Sequence, residues 1–153
     1  MWWLVATTAA MAADTVLYVV RHAEKATAPP DDPPLTPAGA ARAEALAHTL
    51  RDVTLVGVHS TATARTQATA APAAAAHHVA VAPYADVAEV VAAARRAGGA
   101  HLIVGHSDTV EELVTRAGGA PGPAMTDTTF DRLWVVTIPD AGPVTTLHLR
   151  YGP

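Results

Sequence analysis

Arg21 and His22 stand where a run of five apolar residues, Val16-Leu17-Tyr18-Val19-Val20, gives way to charge. Arginine offers a planar, permanently charged fork that fits an oxyanion, and histidine, with an ordinary pKa near neutrality, can be a nucleophile or a proton carrier. The design recurs twice. His101-Leu102-Ile103-Val104-Gly105 is an apolar run that delivers His106, and Leu55 to Val58 leads into His59-Ser60-Thr61-Ala62-Thr63-Ala64-Arg65. Two permanent cations, two histidines and hydroxyl-bearing segments that read as helix N-termini describe a receptacle for a phosphoryl group, whose oxygens carry the charge to be held during transfer.

These side chains can meet only if the strand ends share one rim. An uninterrupted apolar run is the pattern of a parallel strand buried on both faces, and open α/β sheets place ligands beyond the carboxyl ends of such strands. The rest of the chain supplies the alternating helices. Ala26 to Pro34, with four prolines and two aspartates, is a loop at the carboxyl end of the first strand, where a substrate would enter. Thr36 reads as an N-cap with Pro37 at the first helical position, opening a helix that runs to about Arg51. An Ala-rich helix then carries Arg65 in or near its first turn and ends near Ala76. A brief strand is expected at Val79 to Val81, a loop at Pro83 to Asp86, and a helix from Val87 to Ala97 stopped by Gly98-Gly99. Ser107-Asp108-Thr109 reads as the cap of a helix near Val110 to Arg116. After a Gly/Pro loop at Gly118 to Pro123, Leu133 to Ile138 and Val144 to Tyr151 read as two antiparallel strands around the turn at Asp140 to Pro143. The expected fold is α/β, a three-layer α/β/α sandwich with a mostly parallel central sheet and a C-terminal antiparallel edge.

Composition narrows the classes of function. A chain of 153 residues, half apolar and 16% charged, is the size of one domain and not a disordered arm. A net charge of −4 without a cluster of Lys and Arg gives no footprint for a nucleic-acid backbone. No cysteine is present, so disulfides, thiolate nucleophiles and cysteine-based zinc sites are excluded. His77-His78 does not read as a metal site, because adjacent histidines point in different directions and no other ligand has suitable spacing. Met1 to Ala13 carries no charge and ends in the small-x-small sequence Ala10-Met11-Ala12, which favours an export-signal remnant over a disordered start, with residues 14 to 153 as the folded domain. The segment lacks a basic residue ahead of its apolar part and is too short to span a membrane.

Arg21-His22-Ala23-Glu24 resembles the Arg-His-Gly/Ala-Glu signature of the histidine phosphatase superfamily, the phosphoglycerate-mutase-like fold. Three further stretches follow in the expected order. Leu35-Thr36-Pro37-Ala38-Gly39 resembles the family's Leu-Thr-x-x-Gly element, and Ser60 to Ala70 is similar to Ser-Pro-x-x-Arg-Thr-x-Gln-Thr-Ala, with Arg65 as the match and departures at Thr61 and Gln67. Val104-Gly105-His106-Ser107-Asp108 resembles Val-Gly-His-Ser-Asn. The resemblance implies that His22 attacks phosphorus and is transiently phosphorylated, that Arg21, Arg65 and His106 hold the phosphoryl oxygens, and that no metal or other cofactor is needed. It also implies a carboxylate that protonates the leaving group. Asp86 is the first candidate, ahead of Glu89 and Asp108, although it fits a helix cap equally well; Glu24 reads as structural. The short phosphohistidine phosphatases of the superfamily are similarly compact, whereas the mutases carry longer insertions. The implied activity is therefore metal-independent hydrolysis of a phosphate monoester or phosphohistidine, on a small phosphorylated substrate or a phosphoprotein. The alternatives are a mutase, or a domain that binds a phosphorylated ligand without turnover. A two-histidine phosphodiesterase would need a second His-x-Ser/Thr motif beside His59-Ser60-Thr61, and His106-Ser107-Asp108 does not supply it.

Overall fold

The computed structural model describes residues 13–153, so the export-signal reading of Met1 to Ala13 lies outside the described residues except at Ala13. Elements alternate as the apolar runs require: β1 (Thr15–Arg21), α1 (Pro37–Thr49), β2 (Leu55–Ser60), α2 (Ala64–Ala76), β3 (Val81–Pro83), α3 (Val87–Ala97), β4 (Gly99–Gly105), α4 (Ser107–Arg116), β5 (Arg132–Ile138) and β6 (Thr145–Arg150). The strands form one six-stranded sheet in the order β3-β2-β4-β1-β5-β6. The first four are mutually parallel, β5 runs antiparallel to β1, and β6 runs antiparallel to β5. This is the expected three-layer arrangement with a C-terminal antiparallel edge.

Strand alternation splits the core into two layers. Leu17, Val19 and Ile103 face α3 and α4, where Val90, Val91, Val110 and Leu113 meet them with Trp134. Val20, Leu102 and Val104 face the other way, onto Leu46 and Leu50 of the α1 segment and Ala70 and Ala73 of α2. The small residues of α2 let it pack closely without bulky side chains. No described helix is long and apolar enough to cross a membrane.

Several boundaries differ from the sequence expectation, among them that of β4, which starts at Gly99 and not His101. The third strand is Val81–Pro83 and not Val79 to Val81, because the end of α2 is still turning: His78 has φ of 56° and the Val79 N–H donates to the Ala74 carbonyl. Strand β2 runs two residues further than Val58, to Ser60, paired with Val104 of β4. Helix α4 starts at Ser107 and not near Val110. Its cap is His106 itself, whose N–H donates to Thr109 Oγ1 at 2.8 Å, so the residues expected to precede the helix form its first turn.

The register decides the site. Arg21 of β1 lies beside Gly105 of β4, and the His22 N–H donates to the Gly105 carbonyl at 2.9 Å. Each strand's next residue is a histidine, so a direct parallel pairing in the middle of the sheet brings His22 and His106 side by side.

Candidate active site

The rings of His22 and His106 meet edge to face with centroids 5.5 Å apart, and Phe130 lies against the other side of His22 at 6.1 Å. The His22 ring is oriented by its own chain. Nδ1 is 2.8 Å from the Ala23 carbonyl, which can only accept, so Nδ1 carries the hydrogen and Nε2 keeps its lone pair. Among the described residues no hydrogen bond engages Nε2. His22 is 3% exposed, and burial lowers its pKa to about 4, helped by the charges of Arg21, Arg65 and His106 and opposed by the bond to Ala23. At neutral pH the ring is an uncharged base with one nitrogen available.

The segment holding this ring is tied down from two sides. The Ala23 N–H donates to Thr69 Oγ1 at 2.9 Å, and the Thr69 hydroxyl donates to the Arg65 carbonyl at 2.7 Å, which links the His22 segment to the first turns of α2. On the other side, Glu24 receives three contacts from Arg42 of α1: Nε to Oε1 at 3.0 Å, Nε to Oε2 at 2.9 Å and Nη2 to Oε1 at 2.8 Å. Burial would raise the Glu24 pKa, but the Arg42 bonds outweigh it and hold the carboxyl below the usual range. Glu24 is thus structural, as its sequence context suggests. The N-terminus of α1 docks on the Glu24 backbone, with the Thr36 N–H donating to the Glu24 carbonyl at 2.9 Å. A Cβ at Gly39 would collide with that same carbonyl, which explains a glycine three residues after the cap.

Two arginines supply the charge. Arg21 stacks on Phe130, with its guanidinium carbon 4.3 Å from the ring centroid, and its Nη1 donates to the carbonyls of Thr126, Asp127 and Thr129 at 3.1, 3.3 and 3.0 Å. Arg65 rises from the first turn of α2, with Nη2 3.4 Å from His106 Nδ1 and Nη1 3.9 Å from an Asp32 carboxylate oxygen. In both arginines Nε is buried without a hydrogen-bond partner. Buried donors are costly to leave unpaired, and an anion seated between the two forks would satisfy both. Burial, followed by the charge of Arg65, lowers the pKa of His106.

The carboxylates fall elsewhere. Asp86 caps α3, its Oδ1 accepting the Glu89 N–H at 2.9 Å, and Asp108 accepts the Thr109 N–H at 2.9 Å. Asp86, Glu89 and Asp108 are exposed, and no hydrogen bond joins them to His22, Arg21 or Arg65. Asp32, which sequence reasoning did not single out, approaches Arg65, and the charges of Asp127 and Asp108 are felt at Arg21 and His106. Asp32 lies on the proline-rich loop and accepts the Ala64 N–H at the start of α2 at 2.9 Å. Gln67 is exposed, away from any site role.

His59 and His101 form a separate pair on the α3 side of the sheet, stacked with centroids 5.4 Å apart. His101 Nε2 meets the Gly98 carbonyl at 3.0 Å and its Nδ1 meets His59 Nε2 at 3.1 Å, so both nitrogens of His101 are occupied. His101 lies four residues before Gly105 on β4, roughly 13 Å back from the rim along the strand, and no arginine contacts the pair. Among the described residues no three of His, Cys, Asp and Glu converge as metal ligands.

Comparison with known proteins agrees with this fold. The sequence profile of the histidine phosphatase superfamily (branch 1) matches residues 17–93, half of the chain. No curated protein matches the sequence. Among solved structures, the protein histidine phosphatase SixA complexed with tungstate shares 20% identity at a TM-score of 0.71, covering 88% of this chain and 96% of its own. A phosphoglycerate mutase from Bacillus anthracis str. Sterne shares 14% at a TM-score of 0.66, covering 90% and 93%. A mycobacterial glucosyl-3-phosphoglycerate phosphatase shares 15% at 0.61, covering 81% and 90%. At these identities the likeness is one of fold, and it spans three different activities. The fold is that of the phosphoglycerate-mutase-like α/β domains. The chain belongs to the histidine phosphatase superfamily, and it is a hydrolase of the histidine-phosphatase type.

Proposed function

We propose that His22 is the nucleophile, that Arg21, Arg65 and His106 hold the phosphoryl oxygens, and that the preferred substrate is an N-linked phosphoryl group such as phosphohistidine. The observation that carries this reading is the His22 ring itself. Its Nδ1–H is fixed on the Ala23 carbonyl, it is uncharged, and Nε2 is free inside a cluster of two arginines with unsatisfied Nε groups.

The chemistry follows. Nε2 attacks phosphorus in line, forming an N–P bond as the bond to the leaving group breaks, and the arginines stabilise charge on the equatorial oxygens. Water then attacks the phosphohistidine, inorganic phosphate leaves, and His22 regains its lone pair. A simple alkoxide leaving group would need a proton during the first step. Asp86, Glu89 and Asp108 make no hydrogen bond to His22, Arg21 or Arg65, and Asp32, which does approach the cluster, is engaged with the Ala64 N–H and Arg65, so no carboxylate is committed to protonating a leaving group. A phenolate departs without a proton, and the imidazole of a phosphohistidine that is protonated on its other ring nitrogen departs as the neutral ring. The similarity to SixA, a protein histidine phosphatase, points the same way.

The test is turnover of phosphohistidine, an aryl phosphate and an alkyl phosphate in the presence of chelator, for the unmodified protein and Asp86→Ala. We expect turnover of the first two, little of the third, and an Asp86→Ala rate within about twofold of the unmodified protein. Efficient alkyl phosphate hydrolysis that is lost in Asp86→Ala would restore Asp86 as the proton donor and remove the preference for N-linked substrates.

A further inference from the structure

The hydrogen bonds around His106 form a chain with a direction. His106 Nε2 is 2.9 Å from Thr61 Oγ1, which is 2.8 Å from Thr66 Oγ1. Thr66 is fully buried, and its hydroxyl lies 2.9 Å from the Thr61 carbonyl and 3.0 Å from the Thr63 carbonyl. That hydroxyl is also 2.7 Å from Thr63 Oγ1; carbonyls only accept and a hydroxyl has one hydrogen, so the Thr66 hydrogen goes to a carbonyl and its oxygen accepts from the two neighbouring hydroxyls. The Thr61 hydroxyl therefore donates to Thr66, which leaves Thr61 only a lone pair for His106. Nε2 of His106 must carry a hydrogen. The opposite side of the ring gives the same answer independently: Nδ1 is 3.4 Å from Arg65 Nη2, a group that can only donate, so Nδ1 holds the lone pair.

From this chain we infer that Thr61 is a positioning residue that fixes the tautomer of His106, holding Nε2–H away from Arg65 and leaving Nδ1 unprotonated on the Arg65 side of the cluster. The inference rests on the proposed function only in taking that cluster as the phosphate site. The charged and titratable groups facing His106 are Arg65 from α2, Arg21 and His22 at the end of β1, and Asp108 from its own helix. The two arginines disfavour a positive ring in the free protein, and Asp108 opposes them. A phosphate dianion reverses that balance, and it cannot be bound by a lone pair. Nδ1 gains a proton when phosphate arrives, from solvent or from the P–OH of the phosphate itself, and the resulting imidazolium donates to the unprotonated phosphate oxygens through Nδ1 while Nε2–H stays on Thr61. Phosphate binding is thereby coupled to uptake of one proton at a ring whose other nitrogen is already committed.

The experiment is nitrogen-15 NMR of the histidine rings in the unmodified protein, Thr61→Ser and Thr61→Val, free and titrated with inorganic phosphate, with thermal unfolding as a control. The unmodified protein and Thr61→Ser should show His106 as the Nε2–H tautomer at neutral pH and convert it to imidazolium as phosphate saturates. Thr61→Val should show a tautomer mixture and bind phosphate about three- to tenfold more weakly. An Nδ1–H tautomer in the free unmodified protein overturns the inference, as does a Thr61→Val protein with unchanged tautomer and phosphate affinity. If Thr61→Val fails to fold, the tautomers of the other two proteins decide the matter. Phosphate that leaves both His22 and His106 unmoved would instead overturn the proposed function, while the free-protein tautomer still judges Thr61.

Discussion

Replacing His22 with Asn and following stability against pH tests whether the His22 ring is held as a buried neutral base. The ring is 3% exposed and its pKa is lowered to about 4. In the unfolded chain the same ring titrates near the ordinary value of about 6.5. Between these two values the unfolded state binds more protons than the folded one, so this ring makes stability rise with pH across the window, with the gain lost as pH falls. The difference amounts to about 2 kcal/mol between pH 5 and pH 7 and about 3 kcal/mol by pH 4. His59, also lowered to about 4 by burial and the neighbouring His101, contributes in the same direction, but it does so in both proteins. The assay is urea unfolding of the unmodified protein and His22→Asn at pH 7, 6 and 5, with linear extrapolation. The stability of the unmodified protein relative to the variant should fall by about 2 kcal/mol from pH 7 to pH 5. A relative stability that stays flat over that range would refute the reasoning, because the ring would then be titrating as it does in water.

Arg65→Gln should lower kcat by about 10² to 10³ through loss of one preorganised donor, and Arg65→Lys should recover little because an ammonium does not reproduce the fork; steady-state rates on an aryl phosphate check both. Glu24→Gln should lower stability by about 2 kcal/mol, roughly 4–8 °C in Tm, since it leaves the Arg42 guanidinium partly buried without its charge partner. The two side chains are 24% and 12% exposed, so the loss should sit below that of a fully buried pair, and an unchanged Tm would show that the pair does not anchor the nucleophile segment.

The strand-end residues were legible because their signal is local. An apolar run followed at once by Arg-His or Gly-His fixes both a buried strand and what it delivers, and β1 and β4 lie side by side with the register that such delivery needs. Helix α3 was legible to the residue, bounded by Asp86 and Gly98. The expected start of α4 failed because a Ser-Asp-Thr sequence reads as a cap, whereas the adjacent histidine occupies that place and Thr109 reaches back to it. What could not be read was long-range. Arg21 is held by carbonyls more than a hundred residues away, and Glu24 is held by an arginine from the next helix. Asp32 reaches the start of α2 from a loop whose composition shows only that it is irregular. The roles of Thr61 and Thr69 depend on which way a hydroxyl on α2 or its approach points, and neither periodicity nor motif spacing carries that information.

The central claim is that the phosphoryl group passes through His22. The most direct measurement is a brief reaction with a radiolabelled phosphoramidate in chelator, an alkaline quench that preserves phosphohistidine, and mapping of the labelled peptide. The account predicts alkali-stable, acid-labile label on the peptide containing His22 and none in folded His22→Asn. Label on a peptide carrying His59, His101 or His106, or turnover that persists in His22→Asn, would contradict it.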